Sequence, residues 1–125
     1  MTENEASNQL IEILGKLKIA RGDAIYLGIN MSKLPLPKYS AQISKKGIRE
    51  REEKWCSFIL NVLQDYLGPK GTIIVPTFSY DCAKPNSTFI HEETPSDVGP
   101  FTNYVRTRST AIRSLHPIFS LAGIG

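Results

Sequence analysis

The stretch from Trp55 to Pro76 constrains the fold most, because it writes a helix, its stop and a strand in immediate succession. Trp55, Phe58, Ile59, Val62, Leu63 and Tyr66 share one face at a helical period, while Glu53, Lys54, Asn61, Gln64 and Asp65 fall elsewhere. Gly68-Pro69 ends the helix: a residue able to turn left-handed, then one that cannot continue. Lys70-Gly71 turns the chain into Thr72-Ile73-Ile74-Val75, a β-branched run suited to burial on both faces of a sheet, and Pro76 stops it.

A second apolar run, Ala24-Ile25-Tyr26-Leu27, precedes that helix and reads as a buried strand. Two strands joined through a helix predict a parallel crossover. The fold class is therefore α/β, a partial parallel or mixed sheet with flanking helices. Leu10, Ile11, Leu14 and Leu17 predict a further amphipathic helix over residues 7–18, with Ser7 as its N-cap. Residues 28–47 and 80–98 are polar and broken by prolines, so both are expected to be loops. A short helix is expected from Pro100 to Arg108 and a third strand over residues 118–125. Residues 1–125 are read as a single domain, and a sequence that stops within a strand reads as incomplete.

Composition narrows the function classes. The 125 residues are 41% hydrophobic and 22% charged, with a formal charge of +3, ordinary values for a globular domain. No dense basic run points to nucleic acid, and no apolar run reaches the length of a membrane helix. The N-terminus, Met1-Thr2-Glu3-Asn4-Glu5, lacks the basic start of a secretory signal, so a cytoplasmic location is expected. Cys56 and Cys82 are too far apart to form a metal or redox pair by spacing. Cys56 is expected in a helix core and Cys82 in a polar loop. A homo-oligomer is left open.

Three linked segments carry a resemblance. They are Gly71-Thr72-Ile73-Ile74-Val75-Pro76-Thr77-Phe78-Ser79, Gly99-Pro100-Phe101-Thr102-Asn103-Tyr104-Val105-Arg106, and Arg113-Ser114-Leu115-His116-Pro117-Ile118-Phe119-Ser120-Leu121-Ala122-Gly123-Ile124-Gly125. In order and spacing they resemble the N-terminal portion of the aminoglycoside 3-N-acetyltransferase family. The departures are Gly28-Ile29-Asn30, where the family usually has a polar triplet, and Asn103, where it prefers Glu.

The resemblance implies transfer of an acetyl group from acetyl-CoA, as co-substrate, to an amine of an aminoglycoside or related amino sugar. The alternative reading is a non-catalytic remnant or binding module of the same fold, which the two departures and the stop at Gly125 would suit. The family's catalytic His–Glu pair is expected beyond the residues present, so no catalytic residue is assigned. No metal ligand is assigned either.

The candidate cofactor-binding residues are Thr77, Ser79, Arg106, Arg113, Ser114, His116 and Ser120. Acetyl-CoA carries phosphates, which favour guanidinium groups, and Arg106 and Arg113 fall on motif positions. Arg108 does not, and reads as a solvated helix end. Thr77 and Ser79 follow a strand, where they either meet a ligand or cap the turn. Ser114 and Ser120 could donate hydrogen bonds to the pantetheine. His116 either lines the cleft or serves as a base, which its ordinary pKa near 6.5 permits. His91, beside Glu92 and Glu93, reads as part of a solvated loop. Asp81, Glu92, Glu93 and Asp97 in the same loop could face a cationic amino sugar or be ordinary solvated charges.

Overall fold

The computed structural model describes residues 1–125. The chain forms two compact units, Met1–Asp23 with Asn30–Gly71, and Ala24–Ile29 with Thr72–Gly125.

The first unit holds two helices, α1 (Glu3–Lys16) and α2 (Lys45–Leu67), which pack on each other. Helix α1 starts four residues before the expected residue 7. Its N-cap is Thr2, whose hydroxyl accepts from Glu5 N at 3.2 Å, and Ser7 lies inside the helix. The signal was the Thr2-x-x-Glu5 spacing of a capping box. Ala6, Leu10 and Leu14 form the buried stripe, while Ile11 and Leu17 of the expected stripe are exposed.

In α2 the buried residues are Gly47, Cys56, Ile59, Leu60, Val62, Leu63 and Leu67. Of the expected face, Ile59, Val62 and Leu63 are inside, whereas Trp55, Phe58 and Tyr66 sit half-buried on its flanks. Aromatic residues with polar atoms do better there, where the polar end finds a partner. Trp55 Nε1 donates to Pro37 O at 2.8 Å, and Tyr66 OH donates to Ile19 O at 2.6 Å. Each buried Leu or Ile on this face contributes roughly 1.5–3 kcal/mol by removal from water. Ser44 caps the helix start through Gly47 N. Gly68, at φ +76°, ends the helix as expected.

The second unit is built on a four-stranded sheet in the order β1-β2-β4-β3, with β1 Ala24–Tyr26, β2 Thr72–Pro76, β3 Ile112–Arg113 and β4 Leu121–Ile124. Strand β1 runs parallel to β2, as the crossover pattern predicts. Strand β4 runs antiparallel to both β2 and β3, so the sheet is mixed. At the edge of the sheet β1 buries only Ile25, which corrects the expectation of a buried strand. Pro76 pairs with Leu121 inside the ladder instead of standing outside it. Its missing N–H ends the ladder on the β1 side, where the last bond is Leu27 N to Ile74 O. Helix α3 (Pro100–Arg106) is two residues shorter than expected and packs on β2 and β4 through Phe101, Thr102 and Val105. No helix is long and apolar enough to cross a membrane.

Two tests follow from the first unit. A Cβ on Gly71 would lie 2.3 Å from Leu67 Cβ, whereas one on Gly68 would meet only the movable guanidinium of exposed Arg21. Gly71→Ala should therefore lower the unfolding free energy by about 2 kcal/mol or more through the clash with Leu67, and Gly68→Ala by about 1–3 kcal/mol through a backbone conformation that is nearly glycine's alone. A urea midpoint unchanged from the parent in either variant would contradict its assignment. Second, the Tyr39 phenol donates to the Glu3 carboxylate, and its pKa is pushed up to about 12 by burial and then by that acid. A raised folded-state pKa stabilises the fold below the ordinary value near 10 and ceases to do so as pH climbs towards 12. In alkaline denaturation, Tyr39→Phe should remove that part of the stability loss.

Candidate functional site

The candidate residues of the second unit separate into a buried group and an exposed group. Beyond the strands proper, the β2–β4 ladder continues through Thr77 N to Ser120 O at 2.9 Å and Ser79 N to Ile118 O at 2.8 Å. This brings Thr77, Ser79 and Ser120 together, with Arg113 of β3 reaching in beside them, and all four are buried.

Arg113 organises this cluster. Its Nε donates to Ser120 Oγ at 2.9 Å. Its Nη1 donates to His91 O at 3.4 Å and, at shorter range, to Thr94 O. Its Nη2 donates to Thr77 O at 3.0 Å and Ser79 Oγ at 3.1 Å. A guanidinium has five N–H groups, and these contacts use them all. None remains to hold a ligand phosphate.

The hydroxyls are spent as well. Ser120 donates to Thr77 O at 2.9 Å, which leaves Thr77 Oγ1 to donate to Ser120 Oγ at 2.9 Å. Ser79 donates to Pro95 O at 3.0 Å. No carboxylate touches Arg113. Its charge rests on neutral acceptors and on the Phe89 ring, 4.9 Å from Cζ. Burial lowers its pKa from the ordinary arginine value, and the nearby Arg106 charge lowers it further.

His91 belongs to this cluster, which corrects its reading as a solvated loop residue. The half-buried ring places Nε2 2.6 Å from Arg113 O, so Nε2–H donates there while His91 O accepts from Arg113. No sequence signal announced this, since the partner is a main-chain carbonyl remote in sequence. Asn103 has a comparable role. Its side-chain amide accepts from Ser96 N at 2.7 Å and donates to Ser96 O at 2.9 Å, clamping the end of the 80–98 loop onto α3. A glutamate could accept from Ser96 N but has no N–H for Ser96 O.

Three candidates remain accessible. Arg106 gives Nε to Asn103 Oδ1 and Nη1 to Glu92 O, which leaves N–H groups to spare, and burial lowers its pKa. Ser114 accepts from Leu121 N at 2.8 Å and keeps its hydroxyl hydrogen. His116 is exposed, with Nδ1 turned to the backbone. Beside it, Phe78, Tyr80 and Phe119 meet edge to face, with Tyr80 and Phe119 about half exposed. Arg108 lies over the Tyr104 ring and bonds Tyr104 O, a helix-end role as expected. In the loop, Asp81 pairs with Lys84, and Glu92 and Glu93 are exposed. No group of three His, Cys, Asp or Glu side chains is placed to hold a metal ion.

The donor count makes Arg113 intolerant of change. Arg113→Lys, with three donors for five acceptors, should lower the unfolding free energy by about 2–4 kcal/mol, and Arg113→Met by about 3–5 kcal/mol. Urea titration followed by circular dichroism reads both. A lysine variant as stable as the parent would disprove the five-donor arrangement.

Comparison with known proteins bears on this site. A family model described as aminoglycoside 3-N-acetyltransferase matches residues 43–125, well over half of the chain and all of the cluster. No curated protein matches by sequence. Among solved structures, the chain is similar to the YokD protein from Bacillus subtilis, with a TM-score of 0.72 at 17% identity, over 95% of this chain and 49% of that one. It is similar to a mutant of aminoglycoside acetyltransferase AAC(3)-IVa in complex with apramycin, with a TM-score of 0.66 at 20% identity, over 100% and 43%. It is also similar to AAC-IIIb in a binary structure with CoASH, with a TM-score of 0.65 at 22% identity, over 100% and 46%. The chain thus spans less than half the length of each of these three structures. At such identities the likeness establishes the fold, and the match over residues 43–125 establishes the lineage: this chain belongs to the aminoglycoside 3-N-acetyltransferase family.

Proposed function

We propose that these residues form the acyl-donor side of an acetyltransferase that moves an acetyl group from acetyl-CoA to an amine of an aminoglycoside or related amino sugar. The observation that carries this reading is the pairing of family membership over residues 43–125 with a rigid cluster whose neighbours are exposed donors. In the reaction the amine nitrogen attacks the thioester carbonyl. A C–N bond forms, the C–S bond breaks, and sulfur leaves as the CoA thiol with the proton the amine gives up. Such a transfer depends on holding thioester and amine in fixed register.

Within this proposal the candidates divide the work. Arg113, Thr77, Ser79 and Ser120 hold the strand ends and the 91–95 segment in place rather than touching the ligand. Arg106 supplies the cation for CoA phosphates. The Arg113 charge nearby adds to the local positive field. Ser114 and His116 offer hydrogen bonds to the pantetheine or acyl end. Exposed Glu92 and Glu93 supply negative charge for a cationic amino sugar. The names of the solved structures, one with CoASH and one with apramycin, support both ligand classes.

Calorimetry on the full chain tests the proposal, with dephospho-CoA as the comparison. Acetyl-CoA should bind saturably, and more tightly than a CoA lacking the phosphate. Arg106→Ala should weaken binding by about tenfold, the scale of one lost charge-assisted hydrogen bond, and Arg108→Ala should leave it unchanged. A folded chain that binds no acetyl-CoA would favour the binding-module or remnant alternative.

A further inference from the structure

We infer that His116 is a fixed hydrogen-bond donor, presenting Nε2–H to the carbonyl oxygen of the acyl donor, and is not a general base. The inference rests on the acetyl-CoA reading for its ligand, but the state of the ring follows from geometry alone.

Nδ1 of His116 lies 3.2 Å from Ile118 N and 2.8 Å from Phe119 N, and both are backbone donors. A backbone N–H can only donate, so Nδ1 must be the unprotonated nitrogen. The neutral ring therefore carries its hydrogen on Nε2. The other tautomer would set an N–H against two N–H groups, and a flipped ring would leave both amides facing carbon. The turn beneath is fixed in its own right. Ser79 N holds Ile118 O, and Ser120, two residues on, is locked in the Arg113 cluster. The ring also leans on Phe119, with centroids 5.5 Å apart.

Nε2 makes no hydrogen bond within the chain, and the side chain is exposed. A base acting through Nε2 needs a lone pair there, and the only lone pair points into the turn. What the ring offers outward is a donor of fixed direction beside an aromatic surface. That suits an oxygen that gains negative charge as a thioester is attacked. The expected ligand atom is the carbonyl oxygen of an acyl thioester.

The tautomer is read on the uniformly ¹⁵N-labelled chain by long-range imidazole NMR correlations at alkaline pH, where imidazole is neutral. The result expected is Nε2–H with unprotonated Nδ1; the reverse pattern overturns the inference. The contact is read with His116→Asn, whose Oδ1 can accept the two backbone N–H groups while reaching no further. Its affinity for acetyl-CoA should fall about tenfold, the scale of one lost hydrogen bond. Its affinity for S-ethyl-CoA, a thioether without the carbonyl, should match that of the parent. His116→Ala, which also releases the turn, should weaken both ligands. Equal affinity of parent and Asn variant for acetyl-CoA overturns the contact. A parent chain that binds no acetyl-CoA overturns it together with the acetyltransferase reading, whereas the tautomer is decided by the NMR spectrum independently.

Discussion

A guanidinium buried without a carboxylate must find a neutral acceptor for every N–H, and the second unit is arranged around that requirement at Arg113. Its five donors reach β2's extension at Thr77 and Ser79, β4's start at Ser120, and the carbonyls of His91 and Thr94. One short strand thereby fixes three segments that are far apart in sequence. Leaving any of these donors or acceptors unpaired would cost about 1–3 kcal/mol. The cluster consequently tolerates little displacement of one segment relative to another. The Arg106 charge also lies close enough to add to burial in lowering the pKa of Arg113.

This division changes what the motif residues mean. Thr77, Ser79, Arg113 and Ser120 are chemically suited to ligand contacts, yet each satisfies its hydrogen-bonding capacity inside the chain. They are placed to determine where neighbours stand. Ser120 follows the turn that carries His116, and Ser114 follows Arg113 directly in β3's extension. Rigid buried polar networks of this kind supply the supporting shell that an exposed contact needs in order to keep its direction.

Sequence reasoning read the elements that announce themselves locally. The stop of α2 at Gly68-Pro69, the apolar run of β2 and the proline start of α3 each sit in a few adjacent residues. It placed Cys56, Ile59, Val62 and Leu63 of α2 inward, as found, but misjudged the depth of Trp55, Phe58 and Tyr66, which are large yet only half-buried. It missed β3, whose two residues, one of them charged, make no run at all. The antiparallel direction of β4 was equally hidden, since alternation of apolar residues is the same in parallel and antiparallel ladders. The motif positions singled out the right neighbourhood, but the role of Arg113 was illegible. Its acceptors are mostly main-chain carbonyls, which every residue possesses, and only the fold selects which ones meet it.

The order β1-β2-β4-β3 has a kinetic consequence. Strands β3 and β4 form a local hairpin, with Arg113 opposite Ala122, and can pair as soon as the turn at His116 closes. Strand β2 has no such neighbour: Ala24 pairs with Thr72 and Ile73 with Ile124, each across a long stretch of chain. The central strand is thus the one whose partners are most remote, and it gains its ladder only after two large loops have closed. Assembly of the sheet is accordingly slow and late. Until it is complete, Thr72-Ile73-Ile74-Val75 is an unpaired β-branched segment of the type that associates between molecules.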